Sequence, residues 1–163
     1  MLVWPTKKAL ILKSKTPEKI LNVVPSAKSF SVKGQPLVAV PHRTEETTLL
    51  RNLGYDAPAP IRSYYEWPGR FKPFHAQREA AAFLSMNKRA FNLSELGTGK
   101  SLASLWAYDY LRGIGQLNKA LVISPLSTLE RTWADEIFQH FPHLTYTVLH
   151  GAKDKRIKLL KED

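Results

Sequence analysis

The stretch NLSELGTGKSLASLW, from Asn92 to Trp106, decides how this chain is read. Gly97-Thr98-Gly99-Lys100-Ser101 is either a phosphate-binding loop or a polar turn that caps a helix. What surrounds it separates the two. A phosphate loop needs a β-strand before it, small residues that let backbone N–H groups approach phosphate oxygens, and a Lys-Ser/Thr pair opening a helix. RAFNL (Arg89–Leu93) has the composition of a strand. SLASLWAYDYLRGIG places Leu102, Leu105, Trp106 and Tyr110 on one helical face, and Gly113 and Gly115 end it. The context therefore favours a phosphate loop. It departs from the strict G-x-x-x-x-G-K-[ST] pattern at the first position, which is Ser94. In this reading the helix N-terminus attracts the anion, Lys100 reaches the β- and γ-phosphates, and Ser101 offers a hydroxyl to Mg²⁺.

The pattern continues on both sides. HAQREAAAFLSM (His75–Met86) spaces Ala76, Ala80, Phe83 and Leu84 as a helix does. ALVISP (Ala120–Pro125) is a short apolar run of the buried-strand kind. STLERTWADEIFQHF sets Leu129, Trp133, Ile137 and Phe141 four apart, with Ser127 and Glu130 as a capping-box pair. LTYTVLHG (Leu144–Gly151) reads as another strand, and AKDKRIKLLKED starts a last helix. Helices alternating with strands predict an α/β unit with a parallel sheet over residues 61–163. Residues 1–60 predict a small mixed α+β module instead. Lys8–Lys13, Ser29–Gly34 and Leu37–Val40 are β-like, and Thr44–Gly54 is a helix with Thr44 as its N-cap. DAPAPI, with Pro58 and Pro60, is a stiff connection between the two.

A phosphate loop alone names no reaction. Its neighbours narrow the choice, because residues 70–151 resemble superfamily-2 helicases, specifically the DNA-translocase branch of chromatin and replication-fork remodellers. FHAQREAAAFL resembles the adenine-recognition motif of that family, with Gln77 in the base-reading position. SELGTGKS resembles its motif I, with Glu95 matching a family glutamate and Ser94 standing where an aspartate is usual. ALVISPLSTLERTWADEI resembles motif Ia with its following Trp133 and Glu136, and VLHG resembles the next strand and its glycine. The compact N-terminal module resembles that of viral (phage) members. The resemblance implies the front part of a RecA-like domain. ATP would be bound by Gln77 and by Glu95, Leu96, Gly97, Thr98, Gly99, Lys100 and Ser101, with Mg²⁺ met by Ser101 through the nucleotide. It also implies DNA, duplex, forked or branched, contacted through Ser124, Pro125, Leu126 and Ser127. Phe71 or Phe74 would flank the adenine.

The residue chemistry stands beside this. A Gln can pair with adenine N6 and N7, which favours ATP over GTP. A strand end meeting a helix start, as at Ser124–Ser127, is where ligands dock in open α/β sheets, and free N–H groups there can hold a phosphate. Simple helix capping by Ser127 is compatible with both. RSYYEWPGRFKPF (Arg62–Phe74) suits base stacking and inter-domain packing equally.

Charge and composition set limits. The 163 residues carry a net charge of +10, are 44% hydrophobic and contain no cysteine. A basic excess of this size attracts polyanions, and residues 1–73 hold most of it, with 12 Lys+Arg against 5 Asp+Glu. No disulfide or cysteine-ligated metal is available, and no apolar run is long enough to span a membrane. We expect a cytoplasmic-type protein. The five histidines lack ligand-spaced partners and read as surface residues. Asp135-Glu136 falls inside an amphipathic helix and so does not match the strand-end carboxylate pair of motor ATPases. Three functions remain open: the front portion of an ATP-driven DNA helicase or translocase, a small phosphate-loop nucleotide kinase or ATPase, and a non-catalytic nucleic-acid-binding protein.

Overall fold

The structure is a computed structural model that describes residues 1–162. It opens with β1 (Leu2–Trp4), a tight turn at Pro5–Lys7 and β2 (Ala9–Lys13), followed by α1 (Pro17–Val23). Then come β3 (Lys28–Val32), β4 (Gln35–Pro41) and α2 (Thr44–Asn52). The four strands form one antiparallel sheet in the order β1-β2-β4-β3. Lys33 and Gly34 join β3 to β4 with φ of 49° and 76°. A two-residue hairpin loop needs positive φ at both centres to match the twist of its strands, and glycine meets that need without strain. Leu10, Leu12, Val38 and Val40 point to one face, where Ile20 of α1, Val24 just after it and Leu50 of α2 bury them.

After Ala57 the chain changes core. Ala59 and Ile61 already belong to a second cluster, built on α4 (His75–Met86) and α5 (Lys100–Gly113), with α3 (Ile61–Tyr64) beside them. Trp106 lies at its centre, fully buried. Its ring meets Trp67 and Phe141 edge-on, and its Nε1–H donates to the Pro68 carbonyl at 2.9 Å. Tyr65 packs edge-on to Trp67 and Tyr110. Tyr65 and Trp67 of the aromatic stretch thus serve packing, whereas Phe71 and Phe74 stay exposed. A short turn α6 (Leu126–Thr128) leads through a π-helical segment, Leu129–Ala134, into α7 (Asp135–His140), and α8 (Lys153–Glu162) follows. Asp163, the last residue of the expected final helix, lies outside the described residues.

Four expectations are corrected. The parallel sheet is absent from the described residues: Arg89–Leu93, Ala120–Pro125 and Leu144–Gly151 pair with no strand. A strand persists only through its ladder, and a parallel one needs cover on both faces. Here Phe91, Leu93 and Ile123 are 86%, 89% and 90% exposed, so no layer covers the first two segments, and of the third Leu144 packs against the second core without a ladder partner. Thr44 is the first helical residue of α2 rather than its N-cap, a position held by Arg43. Ser127 caps nothing; Thr128 instead turns its Oγ1–H back to the Pro125 carbonyl at 2.8 Å, closing that turn locally. His42 and His140 are buried, not on the surface. No helix among the described residues is long and apolar enough to cross a membrane.

Because Trp106 fills the middle of the second core, Trp106→Ala is expected to cost about 3–5 kcal/mol in urea unfolding. A loss below about 1 kcal/mol would show that this cluster does not hold α5 in place.

Candidate functional site

The chain reaches the phosphate-loop stretch without a strand, and side chains set its shape. Asn92 Oδ1 accepts hydrogen bonds from the Ser94 N–H at 3.2 Å and the Ser94 hydroxyl at 2.6 Å. Ser94 does not adopt a positive φ, so the first position of the loop has no need of glycine here. Gly97 and Gly99 do, with φ of 78° and 73°. They turn the backbone so that α5 begins at once, at Lys100. Thr98 Oγ1–H donates to the Glu95 carbonyl at 2.8 Å and tightens the turn.

Lys100 folds back over this turn. Its ammonium donates to the carbonyls of Ser94 at 2.7 Å and Glu95 at 2.9 Å. Two of its three donors are spent on holding the loop, and the third is open to an anion. The Ala103 N–H donates to the Gly99 carbonyl at 3.0 Å, the bond that opens α5. The N–H groups ahead of it have no helical acceptor, and the 14-residue α5 adds its positive end at the same place. The Ser101 hydroxyl has no hydrogen-bond partner among the described residues. This donor set fits a polyphosphate, with Ser101 free for a cation that the phosphates would carry.

Gln77 joins the loop to α4. Its Oε1 accepts from the Phe74 N–H at 2.9 Å, and its Nε2–H donates to the Thr98 carbonyl at 3.4 Å. A Cβ on Gly99 would stand 2.3 Å from Gln77 Nε2, the end of a flexible side chain that would have to swing off the Thr98 carbonyl to make room. Glu95 and Leu96 are exposed on the outside of the turn. Leu126 and Ser127 are exposed as well, and no hydrogen bond among the described residues ties Ser124–Ser127 to the loop. The Ser124 hydroxyl is buried without a partner.

A cleft of about 1010 Å³ lies elsewhere, between the sheet module and the C-terminal end of α5. In it Tyr65 O–H donates to Asp109 Oδ2 at 2.6 Å, and His143 Nε2 meets Asp109 Oδ1 at 2.7 Å. Burial first, and then Asp109, push the Tyr65 phenol far above its ordinary range. Burial, and then the charge of Tyr64, push Tyr110 up to about 12. His42 sits at the same seam. Its Nε2–H must donate to the Pro58 carbonyl at 2.8 Å, so its Nδ1 accepts from the Tyr64 hydroxyl, also at 2.8 Å. Burial lowers the His42 pKa, partly countered by the Pro58 bond. Glu136 is raised by burial and lowered by His140, whose ring nitrogen is 3.7 Å away. Apart from Glu136 and His140, which stand one helical turn apart, none of these links is visible in the sequence, because each joins residues far apart in it. Asn92 is different: an Asn two residues before a serine is a local turn signal that could have been read.

Comparison with known proteins now adds to the geometry. A family model described as the SNF2-related domain matches residues 73–163. The chain is 34% identical over 68 residues to "ATP-dependent DNA helicase DDM1" of Arabidopsis thaliana, covering 42% of this chain and 9% of that protein. It is 37% identical over 68 residues to "ISWI chromatin-remodeling complex ATPase ISW2" of Saccharomyces cerevisiae, covering 41% and 6%. A third similarity, to "ISWI chromatin-remodeling complex ATPase ISW1" of the same yeast, is 34% over 97 residues, covering 58% and 8%. The chain thus spans less than a tenth of the length of these relatives. No solved structure matches.

Two predictions follow from the geometry. A non-glycine residue at positive φ costs about 1–2 kcal/mol. Gly97→Ala is expected to cost about that, because a Cβ there meets only open space. Gly99→Ala is expected to cost more, since it also displaces Gln77, and equal unfolding free energies for the two variants would contradict the contact. For His42 the unfolded chain binds a proton more readily than the folded one, so stability rises with pH. The thermal midpoint is expected to fall as pH drops below about 6.5, the ordinary histidine value, and His42→Gln is expected to flatten that part of the profile.

Proposed function

The chain belongs to the SNF2-related domain family, and on that premise we propose that it is the ATP-binding front portion of an ATP-driven DNA translocase. Membership places it among superfamily-2 helicases and translocases of the chromatin-remodeller branch. The observation that carries the ATP part is the loop itself: Lys100 hydrogen-bonded across Ser94 and Glu95, ahead of two left-handed glycines' turn into α5, with Gln77 in contact. Residues 61–163 would supply this half of the nucleotide site within a RecA-like domain. Residues 1–60 would form a basic accessory module.

The roles follow from the atoms. Lys100 trades a loop carbonyl for phosphate oxygens, at no loss in hydrogen-bond count. The N–H groups at the start of α5 face the same oxygens. Ser101 would ligate the Mg²⁺ that neutralises phosphate charge. Gln77 keeps a lone pair on Oε1 and a second N–H on Nε2, enough to read an adenine edge while still bracing the loop. Asp135-Glu136 lies inside α7 with Glu136 turned to His140, so we assign it no part in activating water. Contact with DNA is supported by the +10 charge and by the DNA helicase named among the relatives. Ser124, Pro125, Leu126 and Ser127 remain our choice for a backbone-phosphate contact beside the motor. We place the work in the cytoplasm, as the cysteine-free composition suggests.

Titration with a fluorescent ATP analogue tests the reading. Lys100→Ala is expected to weaken binding about tenfold or more, as loss of a charged hydrogen bond does. Gln77→Ala is expected to narrow the preference for ATP over GTP. Unchanged ATP affinity in Lys100→Ala, with Mg²⁺ present, would remove the basis of the proposal.

A further inference from the structure

The face of the sheet opposite α1 and α2 is uncovered, and its composition is unusual. Cross-strand register places its residues in rows. Trp4, Ala9 and Pro41 form the first row, and Leu2, Ile11, Ala39 and Lys28 the second. Lys13, Leu37 and Phe30 form the third, and Gln35 with Val32 the fourth. Opposed residues in an antiparallel ladder share a face, so all of these point away from the buried core. Trp4 is 46% exposed and Phe30 38%, and Leu2 and Val32 are exposed as well. An apolar patch with aromatic rings on a sheet marks an interaction surface.

Charge identifies the occupant. Residues 1–44 carry eight cations, Lys7, Lys8, Lys13, Lys15, Lys19, Lys28, Lys33 and Arg43, against one carboxylate, Glu18, which lies on α1. The strands themselves hold no acidic residue. A groove of about 590 Å³ at the first two rows is lined by Lys7, Lys8, Lys28 and Arg43 beside Ala9 and Ala39, with no carboxylate among its lining residues. Among the described residues, Arg43 has no acidic partner, so its charge is unspent. Small residues between rings leave room for flat groups, and lysines at the margin match a phosphate chain.

We propose that this face binds single-stranded nucleic acid, with bases stacked on Trp4 and Phe30 and the backbone tracked by Lys7, Lys28 and Lys13. Trp4 and Phe30 stand at opposite corners, roughly 20 Å apart from strand spacing and rise, a span of a few nucleotides. Stacking on an aromatic platform accepts any base but needs its face unpaired and unstacked, so a single strand is favoured over a duplex. The proposal deepens the nucleic-acid part of the function above and rests on it. It gives the accessory module one task, holding an unpaired strand, that is separate from the ATP loop.

Fluorescence anisotropy of the whole chain with labelled oligo-dT and with duplex of the same length tests this, with melting curves run on each variant. The expected result is tighter binding of the single strand. Trp4→Leu keeps apolar area but removes the π face, and Phe30→Leu does the same; each is expected to weaken oligo-dT binding about fivefold or more, while Trp4→Phe retains most of it. Lys13→Ala with Lys28→Ala is expected to flatten the slope of log affinity against log salt by about 1.4. If Trp4→Leu and Phe30→Leu, folded, bind oligo-dT as well as the parent, the face is not the site. Preference for duplex would overturn the single-strand assignment and leave the DNA reading standing. No binding to either nucleic acid would overturn both. Self-association or protein binding that Trp4→Leu abolishes, with oligo-dT affinity intact, would make the face a protein-docking surface and also overturn the proposal.

Discussion

Trp106 is the contact on which the arrangement of the second core depends. Its indole donates to Pro68 and its ring is wedged between Trp67 and Phe141. That single side chain binds the segment leaving the sheet module, the helix after the phosphate-loop stretch, and the end of α7. The orientation of α5 follows from it, and so does the direction in which the N-terminus of α5 points. A loop of six or seven residues could not hold an ammonium over two carbonyls unless the helix it opens were already fixed. Packing is the cause here, and the geometry around Lys100 is its consequence.

The loop reaches its shape by local means as well. Asn92 takes both polar hydrogens of Ser94, whose carbonyl is then free to receive Lys100. Gln77 closes the opposite side through Thr98. Each bond is exposed, so each is weak in isolation and readily exchanged for a ligand. That suits a site that must open to admit an anion and close again without it. The seam near His42 behaves differently. His42, Tyr64 and Pro58 form a part-buried, satisfied chain, and it joins the two cores by directional bonds rather than by apolar area.

Much of this is legible in the sequence. Apolar spacing gives α4 and α5, and the glycines at 97 and 99 announce left-handed turns. Lys33-Gly34 between two alternating runs gives a hairpin. The π-helical turn at Leu129–Ala134 is not legible, since a single inserted residue leaves helical spacing almost unchanged. The segment Pro17–Val23 carries a proline at the first helical position and Glu18 in the first turn, yet it is too short to show a period, and it escapes notice. The three apolar runs read as parallel strands are strands only by composition. Composition states a preference, and pairing decides the outcome. Burial of His42 and His140 depends on partners such as Tyr64 and the Arg70 N–H, which no local pattern reveals.

The central proposal is that this chain is the ATP-binding front portion of an ATP-driven motor, in which water activation falls to residues other than Asp135-Glu136. ATP turnover with and without duplex DNA, by this chain alone and by the chain joined to a second motor domain of its family, tests that claim most directly. The account predicts essentially no turnover by the chain alone and DNA-stimulated turnover by the longer protein. Steady ATP turnover by the 163 residues alone would contradict it, because a catalytic carboxylate would then have to lie among them.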